Sequence, residues 1–329
     1  MLTATIITNL GYIEGLQKNF QGAYDLLESG IKTWVEEAGR EREIARAETA
    51  IGILKRDEAR LDEALDYIGS AIERLHYPND LGQMAISYFH FGWTQWFKAE
   101  EIGLNKPEGI EVLNQAMRKL EDALKFASQA ELDRERPGIL HQLATVTWRL
   151  GFNTNNSSLM VDARQYNKLA ISESLRLDNM HYLIDALTGE LEFDLDILDD
   201  ERINEFFDRV LSFEKEYPQF VLFYGRIRRI RGDFYFLVDK NFTRALEMYS
   251  QAIPLINNHR GYGPFHVHAE LEGVFKKISS LEKTDAEVFI KALKAKWITY
   301  YGDNRLGFID IISWCDNKIL KLQINDLSK

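Results

Sequence analysis

Small and apolar residues recur along this chain at fixed spacing, in blocks about 40 residues apart. In the first two blocks an apolar residue and a glycine precede a small residue, then an apolar residue four positions on and a second small residue three positions further, and a third block keeps the same spacing. The clearest blocks are Leu10-Gly11, Ala23, Leu27 and Gly30; Ile51-Gly52, Ala64, Ile68 and Ala71; and Leu150-Gly151, Ala163, Asn167 and Ala170. Residues three and four apart share one face of a helix, and small residues let two helices approach closely. The pattern therefore predicts stacked pairs of helices.

Four further blocks follow the pattern less closely. They are Gly92 with Gly109, Leu113 and Ala116; Gly189 with Ile203, Phe207 and Val210; Gly232 with Ala245, Tyr249 and Ala252; and Gly273 with Ala286, Ile290 and Leu293. The Gly92 block needs a longer turn at 103–107, and the Gly189 block ends without a small residue. Together the blocks predict about seven helix pairs over nearly the whole chain.

The blocks resemble the tetratricopeptide repeat (TPR), a helix-turn-helix unit. The common repeat has about 34 residues, so a spacing of about 40 predicts longer helices. Long-period arrays of this kind are similar to those in bacterial signalling regulators and in the C-terminal sensor arms of STAND-type NTPases. The resemblance implies an all-α fold: an α-α superhelix, or solenoid, of about seven TPR-like repeats with a C-terminal capping helix.

The predicted repeat array spans residues 1–303, and the capping helix and tail span 304–329. The predicted units lie near residues 1–38, 39–77, 78–132, 133–177, 178–217, 218–259 and 260–303. The last helix, expected at about 305–323, has one apolar side that can cover the final repeat. The first helix starts with apolar residues and no such cover. We expect either an upstream domain or partner chain there, or a first helix that tolerates exposure.

Composition narrows the class of protein. Of 329 residues, 45% are hydrophobic, 28% are charged and six are proline, as in soluble, mostly helical chains. The net charge of −11 disfavours nucleic-acid and anionic-membrane partners. No apolar run is long enough to span a membrane. A single cysteine, Cys315, and the lack of a signal-peptide pattern predict a reducing, cytoplasmic location.

No residue spacing typical of catalysis or metal binding stands out. The phosphate-loop and His-Glu-x2-His patterns are both missing from the sequence. His266 and His268 would point to different faces of a helix, which disfavours a shared metal. The acidic run from Asp194 to Glu201 suits a helix N-terminus, and Cys315 is interpreted as a buried small hydrophobe. The sequence therefore predicts no enzyme activity, no cofactor and no metal.

In TPR arrays the first helix of each unit lines a concave groove. The resemblance therefore assigns to the groove the residues at −6, −3, +1 and +4 from each repeat glycine. In the third and fourth units these positions form an aromatic wall of Phe89, Trp93, Trp96, Trp148 and Phe152. Aromatic anchors are typical of binding hot spots. The alternative is that some of these rings, Trp93 and Trp148 first, pack between helices as core.

The predicted groove also carries arginines. They are Arg46, Arg56, Arg226 and Arg229. Arg226 and Arg229 share a helix face, where their guanidinium groups could hold a carboxylate or phosphate. The alternatives are salt bridges with acids such as Asp233 or Glu247, and plain solvation. The carboxylate clamp of the family uses Lys and Asn at groove positions, so binding of chaperone tails is not implied.

We therefore expect a protein-interaction scaffold that binds a peptide or protein segment in the concave groove. The alternative is a C-terminal sensor or autoinhibitory domain of a larger signalling protein, such as a STAND-type NTPase or a transcription regulator. Homo-oligomerisation through the long helices of the third unit is a separate hypothesis. All of these make a protein or peptide the partner, with no nucleic acid and no membrane.

Overall fold

The computed structural model describes residues 2–17, 19–36, 39–195, 200–257, 264–301 and 310–324. Within these ranges the chain forms fifteen α-helices and no β-strand. The helices are α1 Leu2–Leu16, α2 Phe20–Val35, α3 Glu41–Asp57, α4 Leu61–Arg74, α5 Leu81–Ile102, α6 Pro107–Gln129, α7 Arg136–Asn153, α8 Ser157–Arg176, α9 Met180–Asp194, α10 Asp200–Glu216, α11 Val221–Leu237, α12 Phe242–Asn257, α13 Pro264–Ile278, α14 Lys283–Tyr301 and α15 Ile311–Ile324. None of these helices is long and apolar enough to cross a membrane.

Consecutive helices pack against each other in pairs. The closest pairs are α1 with α2, α3 with α4, α5 with α6, α7 with α8, and α11 with α12. The longest pair is α5 and α6, with 22 and 23 residues. Its turn contains Gly103 at a φ of 106°, a conformation that favours glycine, and Pro107 at the first turn of α6. The predicted all-α repeat fold of helix pairs is confirmed.

Five of the seven repeat glycines lie close to the second helix of their own pair: Gly11, Gly52, Gly92, Gly151 and Gly232. A Cβ atom at Gly52 would lie 2.4 Å from Ile68 Cγ1 and 3.0 Å from the carbonyl oxygen of Ala64. Ala64, Ile68 and Ala71 are all fully buried. The spacing of small residues in the sequence therefore results from the close approach of the α3 and α4 backbones at Gly52.

The chain divides into two compact units, residues 1–190 and 191–329. The boundary falls within α9, beside Gly189 of the least regular block. The sequence predicts one continuous array over 1–303 and gives no sign of this division. Each unit has its own buried apolar residues, such as Ile51 and Leu143 in the first and Ile227 and Leu293 in the second.

Helix α15 closes the second unit by packing on α14. The Trp314 ring lies 6.1 Å from Phe275 and 6.4 Å from Trp297. Cys315 is fully buried, and burial raises the pKa of its thiol to about 12. The predicted start of this helix, at about 305, and residues 196–199 of the acidic run lie outside the described residues.

Candidate binding surface

The first helices of successive pairs contact one another in the first unit. Helix α3 contacts α5, and α5 contacts α7. Residues that the sequence assigns to a groove, although about 40 positions apart, are thereby brought side by side. At the contact between α3 and α5 lie Arg56, Phe89, His90 and Trp93, which we call the Trp93 cluster.

Arg56, near the end of α3, lies over the indole ring of Trp93 on α5. Its Cζ atom is 4.2 Å from the ring centroid, the geometry of a cation–π interaction. The His90 ring is stacked on Trp93 with centroids 6.1 Å apart. Only 4% of Arg56 is exposed, and one of its terminal nitrogens donates to Asp57 Oδ1 at 3.3 Å. A buried cation is thus held against an aromatic ring beside one carboxylate.

The rings of α5 form a continuous series along the helix. Ring centroids are 5.6 Å apart for Phe89 and Trp93, 6.1 Å for Trp93 and Phe97, and 5.0 Å for Trp96 and Phe97. Phe89 and Trp96 also pack against the apolar core shared by α5, α6 and α7. Trp96 Nε1 donates to Glu100 Oε1 at 3.2 Å. One side of Phe89 and of Trp96 therefore packs on the core while both residues stay partly exposed, and Trp93 faces α3.

The electrostatics of the cluster favour an electron-rich partner. Burial, and then the charge of Arg56, hold the pKa of His90 well below its usual value. Neutral His90 places its Nδ1 3.4 Å from a guanidinium nitrogen of Arg56. Arg56 Nε and Trp93 Nε1 are buried and have no hydrogen-bond partner among the described residues. A buried donor without an acceptor costs about 1–3 kcal/mol, so the cluster holds two donors that an acceptor oxygen would stabilise.

The other predicted site residues of the first unit have different neighbours. The guanidinium of Arg164, on α8, lies 4.8 Å from the ring centroid of Trp148. Phe152, at the end of α7, is 64% exposed. Arg46 is exposed on α3, with its guanidinium 5.7 Å from the ring of Tyr12. The structure thus brings Arg56 together with the rings of α5, and places Trp148, Phe152 and Arg46 in other surroundings.

Arg226 and Arg229 belong to an ionic network in the second unit. Arg229, on α11, forms ion pairs with Glu192 on α9, with Asp233 at 2.5 Å, and with Glu270 on α13 at 2.7 Å. Arg226 Nε lies 3.4 Å from Glu270 Oε1. Arg229 is only 8% exposed. The structure therefore shows the salt bridging named above as an alternative, with Asp233 as one of the acids.

The charges of this network balance among the described residues. Lys277 Nζ lies 3.1 Å from Asp233 Oδ2, so the ion pairs of the described residues join three cations to three carboxylates. Burial alone would lower the pKa of Arg229, but the charge of Glu270 and then of the other two acids raises it well above its usual value. Tyr249 also donates to Asp233 Oδ1, at 2.7 Å. A ligand carboxylate would have to displace one already in place.

A buried polar network between α7, α8 and α9 was not predicted from the sequence. Asn167 stands where the first two blocks have Leu27 and Ile68. Its Oδ1 is 3.1 Å from His141 Nδ1, and its Nδ2 donates to the carbonyl oxygen of Ala186 at 2.8 Å. The signal was available, because an asparagine at an apolar repeat position needs polar partners when it is buried.

The comparisons with known proteins concern the fold. No protein-family model matches this sequence, and no curated protein matches it. Among solved structures, the chain is similar to a Rap protein complexed with Competence and Sporulation Factor, at 13% identity and a TM-score of 0.57, over 99% of this chain and 76% of that one. It is also similar to the apo form of RapI, at 10% identity and a TM-score of 0.55, over 99% of each chain. Likeness at such identities shows a shared all-α repeat fold.

Proposed function

We propose that this chain is a protein-interaction scaffold that binds a peptide or protein segment at the Trp93 cluster. The observation that carries the proposal is Trp93 itself, a partly exposed ring backed by the buried cation of Arg56. The similar Rap structure, complexed with Competence and Sporulation Factor, supports a partner-binding role for the fold.

The chemistry of the cluster selects the kind of segment. The rings of Phe89 and Trp93, 5.6 Å apart, offer an apolar surface for an aliphatic or aromatic side chain. A backbone carbonyl or carboxylate oxygen beside that side chain would give Trp93 Nε1 and Arg56 Nε the acceptor that they lack among the described residues. Because both nitrogens are buried, binding requires the Trp93 side chain to rotate and open the contact with Arg56.

A random linear heptapeptide library displayed on phage, panned against the full chain, tests this proposal. We expect enriched peptides in which an apolar residue is adjacent to an acidic residue. Trp93→Ala should weaken binding of the enriched peptides by at least about thirtyfold, since hot-spot truncations cost about 2 kcal/mol or more. Trp93→Phe keeps a ring but removes the indole N–H, and should give an intermediate loss.

Tyr77→Ala is the matched control. Tyr77 is an aromatic residue of the same unit that is 62% exposed and lies between α4 and α5, outside the Trp93 cluster. This variant should bind the enriched peptides like the wild type. Equal binding by the wild type and Trp93→Ala, with both folded by circular dichroism, would refute the proposal.

A second function, the sensor or autoinhibitory arm, is favoured by one observation on α1. Ile6, Leu10 and Ile13 are each about half exposed and follow helical spacing, so they form an apolar stripe. In a sensor arm this stripe would contact another domain or chain. Hydrogen exchange tests it: amides of α1 should exchange faster than those of α3 in the isolated chain. Equal protection of α1 and α3 would remove the support for this alternative.

A further inference from the structure

The second unit contains an open cleft of about 670 Å³ between α10, α11, α12 and α14. Three of these, α10, α12 and α14, are the second helices of successive pairs. The volume is in the range of pockets that hold small molecules, about 300–1,000 Å³. None of its lining residues forms an ion pair with Arg229 among the described residues, and the sequence named one of them, Glu247, as an acid for salt bridging.

Two acid–base pairs line this cleft, and each joins two helices. Arg228 of α11 lies 2.7 Å from Glu214 of α10. Lys296 of α14 lies 2.5 Å from Glu247 of α12. The cleft is therefore neutral overall but strongly polar. All four side chains are partly exposed, and exposed ion pairs contribute only about 0–1 kcal/mol each. Ligand charges can compete with such pairs at little cost.

The rest of the lining suits a compact organic ligand. Leu255 and Ala295 add apolar surface, and Gln251 adds an amide. Gln251 Nε2 donates to Glu247 Oε1 at 2.9 Å. The hydrogen bond from Lys296 and then the one from Gln251 lower the pKa of Glu247. Glu247 is thus ionised in the neutral range, and a ligand cation would have to compete with Lys296 for it.

We propose that this cleft binds a zwitterion, such as a short unmodified peptide, by both of its charged ends. Arg228 and Lys296 would receive the ligand carboxylate, while Glu214 and Glu247 would receive its ammonium group. Cations and anions that are present in equal number favour a ligand with one charge of each sign over a simple anion or cation. The apolar lining would contact the part of the ligand between its ends.

Isothermal titration calorimetry with trialanine on the full chain tests the proposal. We expect saturable binding with a Kd of about 1 mM, as suits a small ligand held by exposed charges. N-acetyl-trialanine amide, which lacks both terminal charges, should not bind. Free alanine is the third probe, and binding as tight as that of trialanine would identify amino acids as the preferred zwitterions.

Lys296→Met should weaken trialanine by about tenfold. Lys294→Met is the matched control, because Lys294 lies on the same helix and pairs with Asp316 at 2.5 Å but does not line the cleft. The proposal is overturned if trialanine shows no saturable binding, if the blocked peptide binds equally well, or if Lys296→Met binds like the wild type. None of these results would bear on the Trp93 cluster, which belongs to the other unit.

Discussion

Replacing Gly52 with alanine perturbs the backbone contact that the repeat pattern encodes. The added methyl group would lie 2.4 Å from Ile68 Cγ1 and 3.0 Å from the Ala64 carbonyl oxygen. Ile68 is fully buried and cannot swing into solvent, and a backbone oxygen cannot change rotamer. Overpacking of this kind costs about 1–3 kcal/mol, whereas alanine gains about 1 kcal/mol over glycine in a helix. Since the contacts are severe, we expect a net loss of about 1–2 kcal/mol.

At two other glycines, substitution by alanine should stabilise the protein. A Cβ at Gly69, on α4 of the same pair, would meet only Phe91 Cε2 at an ordinary 3.7 Å. A Cβ at Gly273, the repeat glycine of α13, would have no described atom within 4 Å. Gly69→Ala and Gly273→Ala should therefore each stabilise their helix by about 1 kcal/mol.

Hydrogen exchange measured by mass spectrometry is the appropriate assay, because it resolves single helices, whereas global unfolding averages over the two units of the chain. Exchange of α3 and α4 should become faster in Gly52→Ala and slower in Gly69→Ala, and that of α13 slower in Gly273→Ala. The reasoning is refuted if Gly52→Ala protects α3 and α4 as well as the wild type does. It also fails if Gly273→Ala is as destabilising as Gly52→Ala.

Three further predictions concern buried polar groups. Arg229→Met should destabilise the chain by about 3–5 kcal/mol, because it leaves buried carboxylates without their cation. Arg228→Met removes one partner of a partly exposed ion pair and should cost less than about 1 kcal/mol. Similar losses of stability for the two variants in urea unfolding would contradict this prediction. The folded-state pKa of His90 is depressed, so the unfolded chain binds more protons as pH falls below about 6.5, and stability is lost there. His90→Gln should reduce the drop in melting temperature between about pH 7 and pH 5, and an unchanged drop would count against a neutral His90. Asn167→Leu restores the apolar repeat residue but removes the hydrogen-bond partner of His141, so it should lower the free energy of unfolding in urea by about 1–3 kcal/mol. A higher free energy of unfolding would show that the hydrogen bonds of Asn167 contribute nothing to stability.

The helix pairs were predictable because the signals that define them are local. Gly52, Ala64 and Ile68 lie within 17 positions of one another, and a single close contact explains all three. Asn167 breaks the same pattern, and its partners show why the sequence did not reveal its role. His141 and Ala186 come from the preceding and following helices, and neither spacing has a helical period.

The candidate site was predictable only in part. Arg56 and Trp93 occupy groove positions relative to their own glycines, so the sequence placed both on one face. It could not give their contact distance, which depends on how α3 packs on α5. Arg229 and Asp233 are four residues apart on one helix, so their ion pair could be predicted from the sequence. The pairs with Glu192 and Glu270 were not, because they join different helices.

The contrast between Arg56 and Arg229 indicates which of the predicted arginines can serve a ligand. Both guanidinium groups are buried, at 4% and 8% exposure, so both have lost much of their hydration. For Arg229, carboxylates on three helices replace the lost water. A ligand anion at Arg229 would therefore take the place of one of these carboxylates and would add no further ion pair. Arg56 has the Asp57 carboxylate, a neutral imidazole and the face of Trp93. The Nε atoms of both arginines lack a hydrogen-bond partner among the described residues, but that of Arg229 lies 2.7 Å from a carboxylate oxygen of Glu270. An oxygen brought to Arg56 would therefore add a charge-assisted hydrogen bond that the described residues do not supply, and this supports the proposal that the Trp93 cluster is the binding site.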